Sequence, residues 1–368
     1  MWTLSENKDW TFLKNRFTWV AQMDGVPQDA IYHAEGDVAI HTQLVLAALC
    51  NDPEYQQLNL QDQEILWAAA LLHDIEKFST TVIEPDGRIT SHGHARKGAM
   101  TARNILYRDL PTPFIIREQI VGLVRYHGLP LWIFEKPDPV KALITASFEV
   151  NTKLLAILAR ADARGRICHD QQELLFKIDC FEAFCQEQNC WAIPRQFSSA
   201  DAQMYYIQNQ DTYPDYIPFD KPVATVILMS GLPGAGKNTF ISKNYPDNPV
   251  IALDDIRREK GILPTDKAGN GKVVQEAKER ARVLLRKQHP FIWNATNTTR
   301  QMRAQLIDLF TTYKVHVEIV YVEVPYKVLQ QQNNKREAAV PANVLEKLIA
   351  KLEVPSPTEA HLVTYVNA

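Results

Sequence analysis

The sequence predicts a multidomain protein, with an all-α helical bundle over residues 1–190 and an α/β domain built on a mostly parallel sheet over residues 223–368. Apolar residues recur at helical spacing in the first half, as in the stretches DVAIHTQLVLAAL and ILWAAALLHDIEKF. In the second half, apolar runs at 250–253, 291–293 and 315–324 alternate with helical segments, as in a parallel sheet covered on both faces. A chain of 368 residues is also long enough for two domains with separate cores.

Residues 191–222 are predicted to join the two domains. They follow the helical segment QQELLFKIDCFEAFCQEQ and end in DTYPDYIPFDKP, where aromatic, proline and aspartate residues are frequent. A flexible linker would contain fewer tyrosines and more Gly or Ser. We therefore expect a packed, extended connector.

Histidines and aspartates of the first domain stand on, or at the ends of, apolar stretches of helical period. A helical bundle can aim such side chains into one interior, where a carboxylate beside imidazoles is costly unless a cation compensates it. Both groups suit divalent transition metals such as Mn²⁺, Ni²⁺, Co²⁺ and Zn²⁺. Lys77 falls on the same helix face as Asp74 and can bring positive charge to a bound phosphate, the alternative being a solvated lysine. The candidate metal ligands are His41, His73, Asp74, His94, His127 and Asp162, with His92 competing with His94.

A glycine-rich loop follows the apolar run VATVILM in the second domain. Residues Gly231 to Lys237 fit Gly-x-x-x-x-Gly-Lys between a predicted strand and a helix predicted to begin at Asn238. Glycines let backbone N–H groups turn toward phosphate oxygens, and the helix N-terminus adds partial positive charge. We expect ATP or another nucleoside triphosphate here, with Lys237 acting on the transferred phosphoryl group. The nucleotide-binding candidates are Gly231, Gly234, Gly236, Lys237, Asn238 and Thr239.

The residue after the lysine departs from the usual loop pattern. Asn238 replaces the Ser or Thr whose hydroxyl normally ligates Mg²⁺, and Thr239 stands one residue later. The Mg²⁺ ligand is therefore open between these two positions.

The histidines and aspartates of the first domain, in their order along the chain, resemble the HD phosphohydrolase superfamily. That resemblance implies a two-metal site that activates water against a phosphoester. Asp74 would bridge the ions, with His41, His73 and Asp162 on one metal and His94 and His127 on the other.

An HD domain followed by this phosphate loop is similar to the bacterial HD-Pnk family over essentially the whole chain. The similarity implies a bifunctional RNA end-healing enzyme. Such an enzyme removes 2′/3′ phosphates, including a 2′,3′-cyclic phosphate, and phosphorylates 5′-hydroxyl ends with a nucleoside triphosphate. The implied partners are RNA ends and an RNA ligase acting downstream.

The segment IALDDIRRE resembles the Asp-x-x-Arg element of polynucleotide kinases. In this resemblance Asp254 orients and deprotonates the attacking hydroxyl, with Asp255 as the alternative. Arg257 would hold a neighbouring phosphate of the acceptor, because guanidinium geometry matches phosphate oxygens.

Two later segments also resemble this kinase group. FIWNATNTTRQMR corresponds to a segment that usually reads Asp-Ala-Thr-Asn, but the first position is Asn294, so we expect ATP oxygens and water to hold most of the Mg²⁺ shell. Arg300 and Arg303 follow as candidate substrate-binding residues, with a mixed-charge exposed helix as the alternative. In the lid-like segment, Arg336 is the candidate clamp on the triphosphate and Lys335 is second.

Charge and composition indicate less about function than the motifs do. The formal charge of −3 argues against a generally sticky nucleic-acid binder, so RNA must meet local patches such as Arg164 with Arg166, or Arg257 with Arg258. The five cysteines lack paired-ligand spacing, and no apolar stretch is long enough to span a bilayer. These features predict a cytoplasmic protein without a membrane partner. The aromatic residues near the sites are expected in the core, with base stacking as the alternative: Tyr126, Trp132 and Trp293.

Other functions also fit these motifs. The phosphate loop does not identify the acceptor, so an HD nucleotidase fused to a small-molecule or nucleotide kinase is one alternative. A nucleotide-gated regulatory protein is another. Asp254 argues against the regulator, since a switch needs no base on the acceptor side.

Overall fold

The structure is a computed structural model that describes residues 1–219, 222–263, 265–336 and 339–367. It divides into two compact units, Met1–Gln196 and Phe197–Ala368. Each unit has its own hydrophobic core.

The first unit is a helical bundle. Its central helix, Thr152–Gly165, is buried along most of its length and packs against Val38–Cys50, Leu60–Leu72 and Gln171–Glu187. The side chain of Asn151 caps this helix by accepting hydrogen bonds from the first-turn N–H groups. The other helices are Trp10–Arg16, Thr18–Ala21, Pro53–Gln56, Lys77–Thr80, His94–Asn104, Phe114–Tyr126, Leu129–Trp132 and Pro139–Ser147, with a π turn at Ile105–Asp109 and a 3₁₀ turn at Ile133–Glu135.

A small hairpin modifies the all-α prediction for this unit. Strands β1 (Val82–Ile83) and β2 (Ile89–Thr90) pair antiparallel. The turn between them contains Gly87 at φ 87°, a left-handed conformation that glycine adopts without steric cost. β-branched residues flanking a Pro-Asp-Gly turn favour this hairpin locally, although helices surround it.

The division between the units differs from the predicted connector at 191–222. Residues 191–196 belong to the first unit, where the Ala192 N–H donates to Thr152 Oγ1 at 2.9 Å. In the second unit, Ser199 caps the helix Ala200–Gln208, whose Met204 and Tyr206 are buried. The segment therefore contains a helix where an extended chain was expected. Of the connector, Asp220 and Lys221 lie outside the described residues, as do Pro264, Glu337, Ala338 and Ala368 of the predicted second domain.

The second unit is built on a five-stranded parallel sheet, as its sequence pattern predicts. The strand order is β4-β5-β3-β6-β7, and every adjacent pair in it is parallel. The strands are β3 (Thr225–Ser230), β4 (Val250–Ala252), β5 (Phe291–Asn294), β6 (His316–Glu323) and β7 (Leu362–Asn367). The helices, besides Ala200–Gln208, are Lys237–Asn244, Leu253–Glu259, Lys267–Arg286, Arg300–Thr311, Tyr326–Asn334 and Ala342–Ala350.

The carboxyl ends of neighbouring parallel strands meet at one edge of the sheet, which is where ligands bind in open α/β folds. The glycine-rich loop follows β3, Asp254 follows β4, and Asn294 ends β5. The topology thus gathers three predicted kinase positions at that edge.

No single helix of the described residues is both long and apolar enough to cross a membrane. Pro139–Ser147 and Thr152–Gly165 pass this test of length and composition only as a pair, which is bent by 108°.

Candidate functional site

Asp74 is the centre of the candidate metal site in the first unit. It follows His73, which ends the helix Leu60–Leu72, and both side chains are buried. His94 is the first residue of its own helix, entered through Gly93 at φ 79°. The structure brings the six predicted ligands together and favours His94 over His92, because His94 faces Asp74 whereas His92 is exposed.

The two carboxylate oxygens of Asp74 face different pairs of histidines. Oδ2 lies 3.2 Å from His73 Nε2 and 3.9 Å from His41 Nε2. Oδ1 lies 3.3 Å from His94 Nε2 and 3.9 Å from His127 Nε2. Asp162 joins the first pair, since its Oδ1 is 3.1 Å from His41 Nε2. The grouping matches the one that the HD resemblance implies for two ions bridged by Asp74.

Every histidine of the set is oriented through its Nδ1 atom. Nδ1 lies 2.7–2.9 Å from an oxygen that can only accept, so in the neutral ring Nδ1 carries the proton and Nε2 the lone pair. All four lone pairs then point toward Asp74. The acceptors are Glu35 Oε1 for His41, Ala70 O for His73, Ser91 O for His94 and Val124 O for His127.

This donor set fits divalent cations. Within the described part of the chain, His41 Nε2, His73 Nε2 and Asp74 Oδ1 are buried without a hydrogen-bond partner. His94 Nε2 and His127 Nε2 lie 3.2 Å apart, an arrangement in which two lone pairs repel unless a proton or a metal ion lies beside them. Buried polar atoms left unpaired are costly, and metal coordination removes that cost.

Electrostatics agree with a site for positive charge. Burial alone would raise the pKa of Asp74, but the charge of His73 in its protonated form and the charge of Lys77 hold it well below its ordinary value. Burial, followed by the charges of His94 and His73, lowers the pKa of His127 to about 3. His127 is therefore a neutral imidazole, which is the form that ligates metals.

Sequence reasoning missed two residues that support these ligands. Glu35 Oε1 lies 2.8 Å from both His41 Nδ1 and His33 Nδ1, so one carboxylate orients two imidazoles. Burial, partly offset by this hydrogen bond, lowers the pKa of His33 to about 4. A His-x-Glu sequence shortly before His41 is the only local signal for this pair, and without the fold it reads as a polar loop.

Lys77 and Arg166 bring positive charge to the same site. Lys77 is buried, with Nζ 2.8 Å from Asp74 Oδ2, so the alternative of a solvated lysine is wrong. Arg166 Nη2 lies 2.7 Å from Asp162 Oδ2, and the pair is charged. Of the two arginines predicted to form a surface patch, Arg164 is exposed and pairs with Asp52, whereas the side chain of Arg166 is mostly buried.

A cavity of about 710 Å³ opens onto the metal ligands. Asp74, His94, His127 and Asp162 line one part of it, together with His33. Its basic lining residues are Lys77, Arg125, Lys136, Lys141 and Arg166, and its aromatic ones are Tyr126 and Trp132. The lining suits an anionic ligand that reaches the metal ligands.

In the second unit, the glycine-rich loop has the shape of a phosphate cradle. Gly231 has φ 141°, and an added Cβ would lie 2.3 Å from Val322 O, so no other residue fits there. The helix Lys237–Asn244 begins one residue earlier than predicted, and Gly236, at φ 98°, directly precedes it. Lys237 folds across the loop, with Nζ donating to Gly231 O and Leu232 O at 2.8 and 2.9 Å.

Lys237 lies within electrostatic reach of two other predicted residues. Burial, together with the charge of Arg336, lowers the pKa of Lys237 to about 8, and Asp254 partly opposes this shift. Asp254 pairs with Arg257, whose Nε also donates to Asn270 Oδ1 at 2.7 Å. Lys237 of the glycine-rich loop therefore interacts electrostatically with both Arg336 and Asp254. Asp255 pairs with Arg258 on the exposed side of its helix.

The two asparagines that stand at expected Mg²⁺ positions are in contact. Asn294 Nδ2 donates to Asn238 Oδ1 at 2.8 Å. The usual hydroxyl and carboxylate are thus replaced by a neutral amide pair, which orients Asn238 toward the sheet edge.

Arg303 is a predicted substrate-binding residue, but the structure does not place it at a surface. It is fully buried, and its guanidinium makes a bidentate ion pair with Glu359 at 2.7 and 2.8 Å. Its Nη1 also donates to the carbonyls of Asn297 and Glu353. Helical spacing could not distinguish this buried face from the exposed one on which Arg300 lies.

A third cluster brings Asp201, His316 and His361 within ligating distance of one another. His361 Nδ1 accepts a hydrogen bond from the Val317 N–H at 3.1 Å, which places the proton of the neutral ring on Nε2, facing Asp201. A protonated nitrogen cannot bind a metal, so this cluster is a poor metal site.

Family comparisons agree with the two units. The HD domain family matches residues 39–164, and the AAA domain family matches residues 226–355. The chain therefore joins a helical HD domain to a kinase-like P-loop domain with a parallel sheet, which confirms the predicted fold class.

Individual proteins match parts of the chain. A multifunctional CCA protein of Methylococcus capsulatus is 31% identical over 170 residues, which are 43% of this chain and 36% of that protein. An L-seryl-tRNA(Sec) kinase of Methanococcus maripaludis is 22% identical over 142 residues, 35% of this chain and 53% of the kinase. The chain thus spans less than two thirds of either relative. A solved sugar kinase of Janibacter sp. HTCC2649 is 20% identical, with a TM-score of 0.30 over 40% of this chain and 86% of that one.

Proposed function

We propose that this chain is a bifunctional RNA end-healing enzyme. Its HD domain removes 2′/3′ and 2′,3′-cyclic phosphates, and its P-loop domain phosphorylates 5′-hydroxyl ends. The observation that carries the first activity is the convergence of four imidazole Nε2 atoms on the two oxygens of Asp74, in a cavity with basic walls. Such a donor set suits two divalent cations and a phosphoester between them.

The roles of the HD residues follow from their positions. His41, His73 and Asp162 would hold one ion, His94 and His127 the other, and Asp74 both. When bound, two such ions would supply an activated water and neutralise charge on the phosphoester oxygens. Lys77 and Arg166 add positive charge at the cavity wall, where an anionic substrate has to be desolvated.

The kinase roles rest on the residues around the glycine-rich loop. Gly231, Gly234 and Gly236 would cradle the phosphates of ATP or another nucleoside triphosphate, which carries Mg²⁺. Lys237 and Arg336 would stabilise charge on the transferred group, and Asp254 would take the proton of the 5′-hydroxyl. We assign acceptor binding to Arg257 and Arg300.

RNA as the acceptor is supported by the HD-Pnk resemblance, which extends over both domains, and by the kinase relative, whose name describes a tRNA substrate. Healed ends carry a 5′-phosphate and a free 3′-hydroxyl. They would suit an RNA ligase acting downstream.

The test uses one oligoribonucleotide with a 5′-hydroxyl and a 2′,3′-cyclic phosphate. With labelled ATP and Mg²⁺, the label should appear at the 5′ end. With Mn²⁺, Ni²⁺, Co²⁺ or Zn²⁺, the cyclic phosphate should be lost. A small-molecule kinase would leave the 5′ end unlabelled, and a nucleotide-gated regulator would transfer no label to any acceptor.

Asp254→Ala tests the acceptor side of this proposal. We expect 5′ phosphorylation to fall by about a hundredfold or more, because hydroxyl alignment and proton removal are lost. ATP affinity, measured by isothermal titration, should change little. If Asp255→Ala is the more damaging variant, the base is one residue later, and if neither matters, the kinase acts on a different kind of acceptor.

A further inference from the structure

Trp132 is an exposed aromatic side chain in the wall of the HD cavity. It is 44% exposed, whereas Trp293, the other tryptophan near a predicted site, is 1% exposed and belongs to the core. Trp132 ends the short helix Leu129–Trp132, and its neighbours Leu131 and Ile133 are buried. These two residues anchor the turn in the core and direct the indole outward.

The indole shares a cavity with the candidate metal ligands. A Cβ atom added to Gly128, the residue after His127, would lie 3.7 Å from Trp132 Cδ1, so the ring is in contact range of that backbone. The same cavity is lined by His127, Asp74 and Trp132. A ligand whose phosphate lies at the candidate metal ligands can therefore reach the indole within the same cavity.

One face of the indole is already covered by a cation. Lys177 Nζ lies 5.1 Å from the ring centroid, and its charge is shared with Glu173 at 3.1 Å. An indole supported on one face and exposed on the cavity side offers a flat surface for a second planar group.

We propose that Trp132 is a stacking platform for the nucleobase of the terminal nucleotide, whose phosphate lies at the metal ligands. This inference rests on the proposed phosphoesterase activity and identifies how the same site recognises its substrate. Every base has a π face, so the platform accepts RNA ends without selecting a sequence. The exposed basic residues Arg125 and Lys136 line the same cavity and suit the preceding backbone phosphates.

The chain offers a matched control. Phe134 stands two residues after Trp132 and is 52% exposed, and its ring lies 5.3 Å from that of Phe184, centroid to centroid, in a tilted arrangement. It is not among the residues that line the cavity. A change at Phe134 therefore tests the general effect of losing an exposed aromatic residue from this turn.

The experiment is a double-mutant cycle on the Mn²⁺-loaded full chain, in which one change is made in the protein and the other in the substrate. The substrates are a 3′-phosphorylated tetrauridylate and the same oligonucleotide with an abasic last residue. Trp132→Ala and removal of the base should each raise KM about tenfold with kcat nearly unchanged, and the two changes together should raise it no further. Trp132→Phe should restore most of the affinity, and Phe134→Ala should behave as wild type.

Additive effects of Trp132→Ala and base removal would overturn the proposal, as would equal loss of kcat in Trp132→Ala and Phe134→Ala. Failure of the proposed function gives a different result: hydrolysis of p-nitrophenyl phosphate without hydrolysis of the oligonucleotide. In that case, the emission of wild type minus that of Trp132→Phe gives the fluorescence of Trp132, which reports whether a base stacks on the indole. Quenching by the tetrauridylate supports the platform, and its absence contradicts it.

Discussion

At the scale of single residues, function depends on which atom of a side chain is left available. Each metal-site histidine uses Nδ1 for one hydrogen bond and leaves Nε2 for the site. Glu35 is a positioning residue in this sense, because it contacts the Nδ1 atom of His41 and not the Nε2 atom that faces Asp74 and Asp162. In the second unit, Lys237 donates to two carbonyls of its own loop, and in the proposed function these hydrogen bonds would be exchanged for phosphate oxygens when a nucleotide binds.

The pKa of Lys237, lowered to about 8, predicts a pH dependence of nucleotide binding. Below that pH the amine is charged and attracts phosphate, and above it the free protein loses the charge. The dissociation constant for ATP should therefore rise with pH above 8, by at most about tenfold per unit for one proton. Titration calorimetry between about pH 7 and about pH 10 measures this. Lys237→Arg, which stays charged, should flatten the curve, and a flat wild-type curve would contradict the assignment.

The contact between Asn238 and Asn294 predicts that Asn238 acts as the metal-side residue of the loop. Asn238→Ala should raise the Mg²⁺ concentration needed for half-maximal kinase activity by about threefold or more, because an amide oxygen near the ion is lost. Asn238→Ser should keep or modestly raise activity. Thr239→Ala is the control and should do little. The reverse result, a crippled Thr239→Ala with a silent Asn238→Ala, would mean that Thr239 supplies the ligand.

At the scale of elements, both candidate sites lie where helices and strands end. His73 and His127 each end a helix, where carbonyls of the last turn orient their rings, whereas His94 begins a helix and its ring is oriented by Ser91 O in the preceding turn. In the second unit, hydrogen bonds from the loop after β5 hold the end of β3. Asn297, at φ 45°, donates to Met229 O at 2.7 Å, and its own carbonyl accepts from Ser230 Oγ and Arg303.

Arg303 is therefore predicted to stabilise the second unit. Arg303→Ala leaves Glu359 buried without its cation, so the unit should lose about 3–5 kcal/mol of unfolding free energy. Calorimetry of the full chain, with the transition of this unit identified by its shift with ATP, measures the loss. Arg286→Ala, an exposed arginine at a helix end, is the control and should cost less than about 1 kcal/mol. Equal small losses in both variants would show that the buried pair contributes no net stability.

At the scale of the whole molecule, the two candidate phosphate sites lie in separate units with separate cores. No predicted residue of one site belongs to the unit that contains the other. The two activities are thus expected to be independent in their chemistry.

Asp74→Ala should abolish phosphate removal, because the carboxylate faces both histidine pairs of the HD site. It should leave 5′ phosphorylation within about twofold of wild type, because Asp74 belongs to the first unit. Lys237→Ala should lose the kinase activity alone. Both activities are measured on the same oligoribonucleotide. Loss of both in a variant whose circular dichroism and melting match wild type would show that the sites depend on each other.

The sequence by itself determined the two fold classes, the order of the HD residues, the phosphate loop and Asp254 after its strand. These depend on local spacing, since a helical period or a strand-loop-helix motif is encoded within a few neighbouring residues. Only the tertiary structure decided which oxygen of Asp74 each histidine faces, that His94 rather than His92 enters the site, and that Arg303 is buried. These depend on partners far along the chain, such as Glu359, 56 residues from Arg303, and no local pattern reports which distant side chain lies opposite.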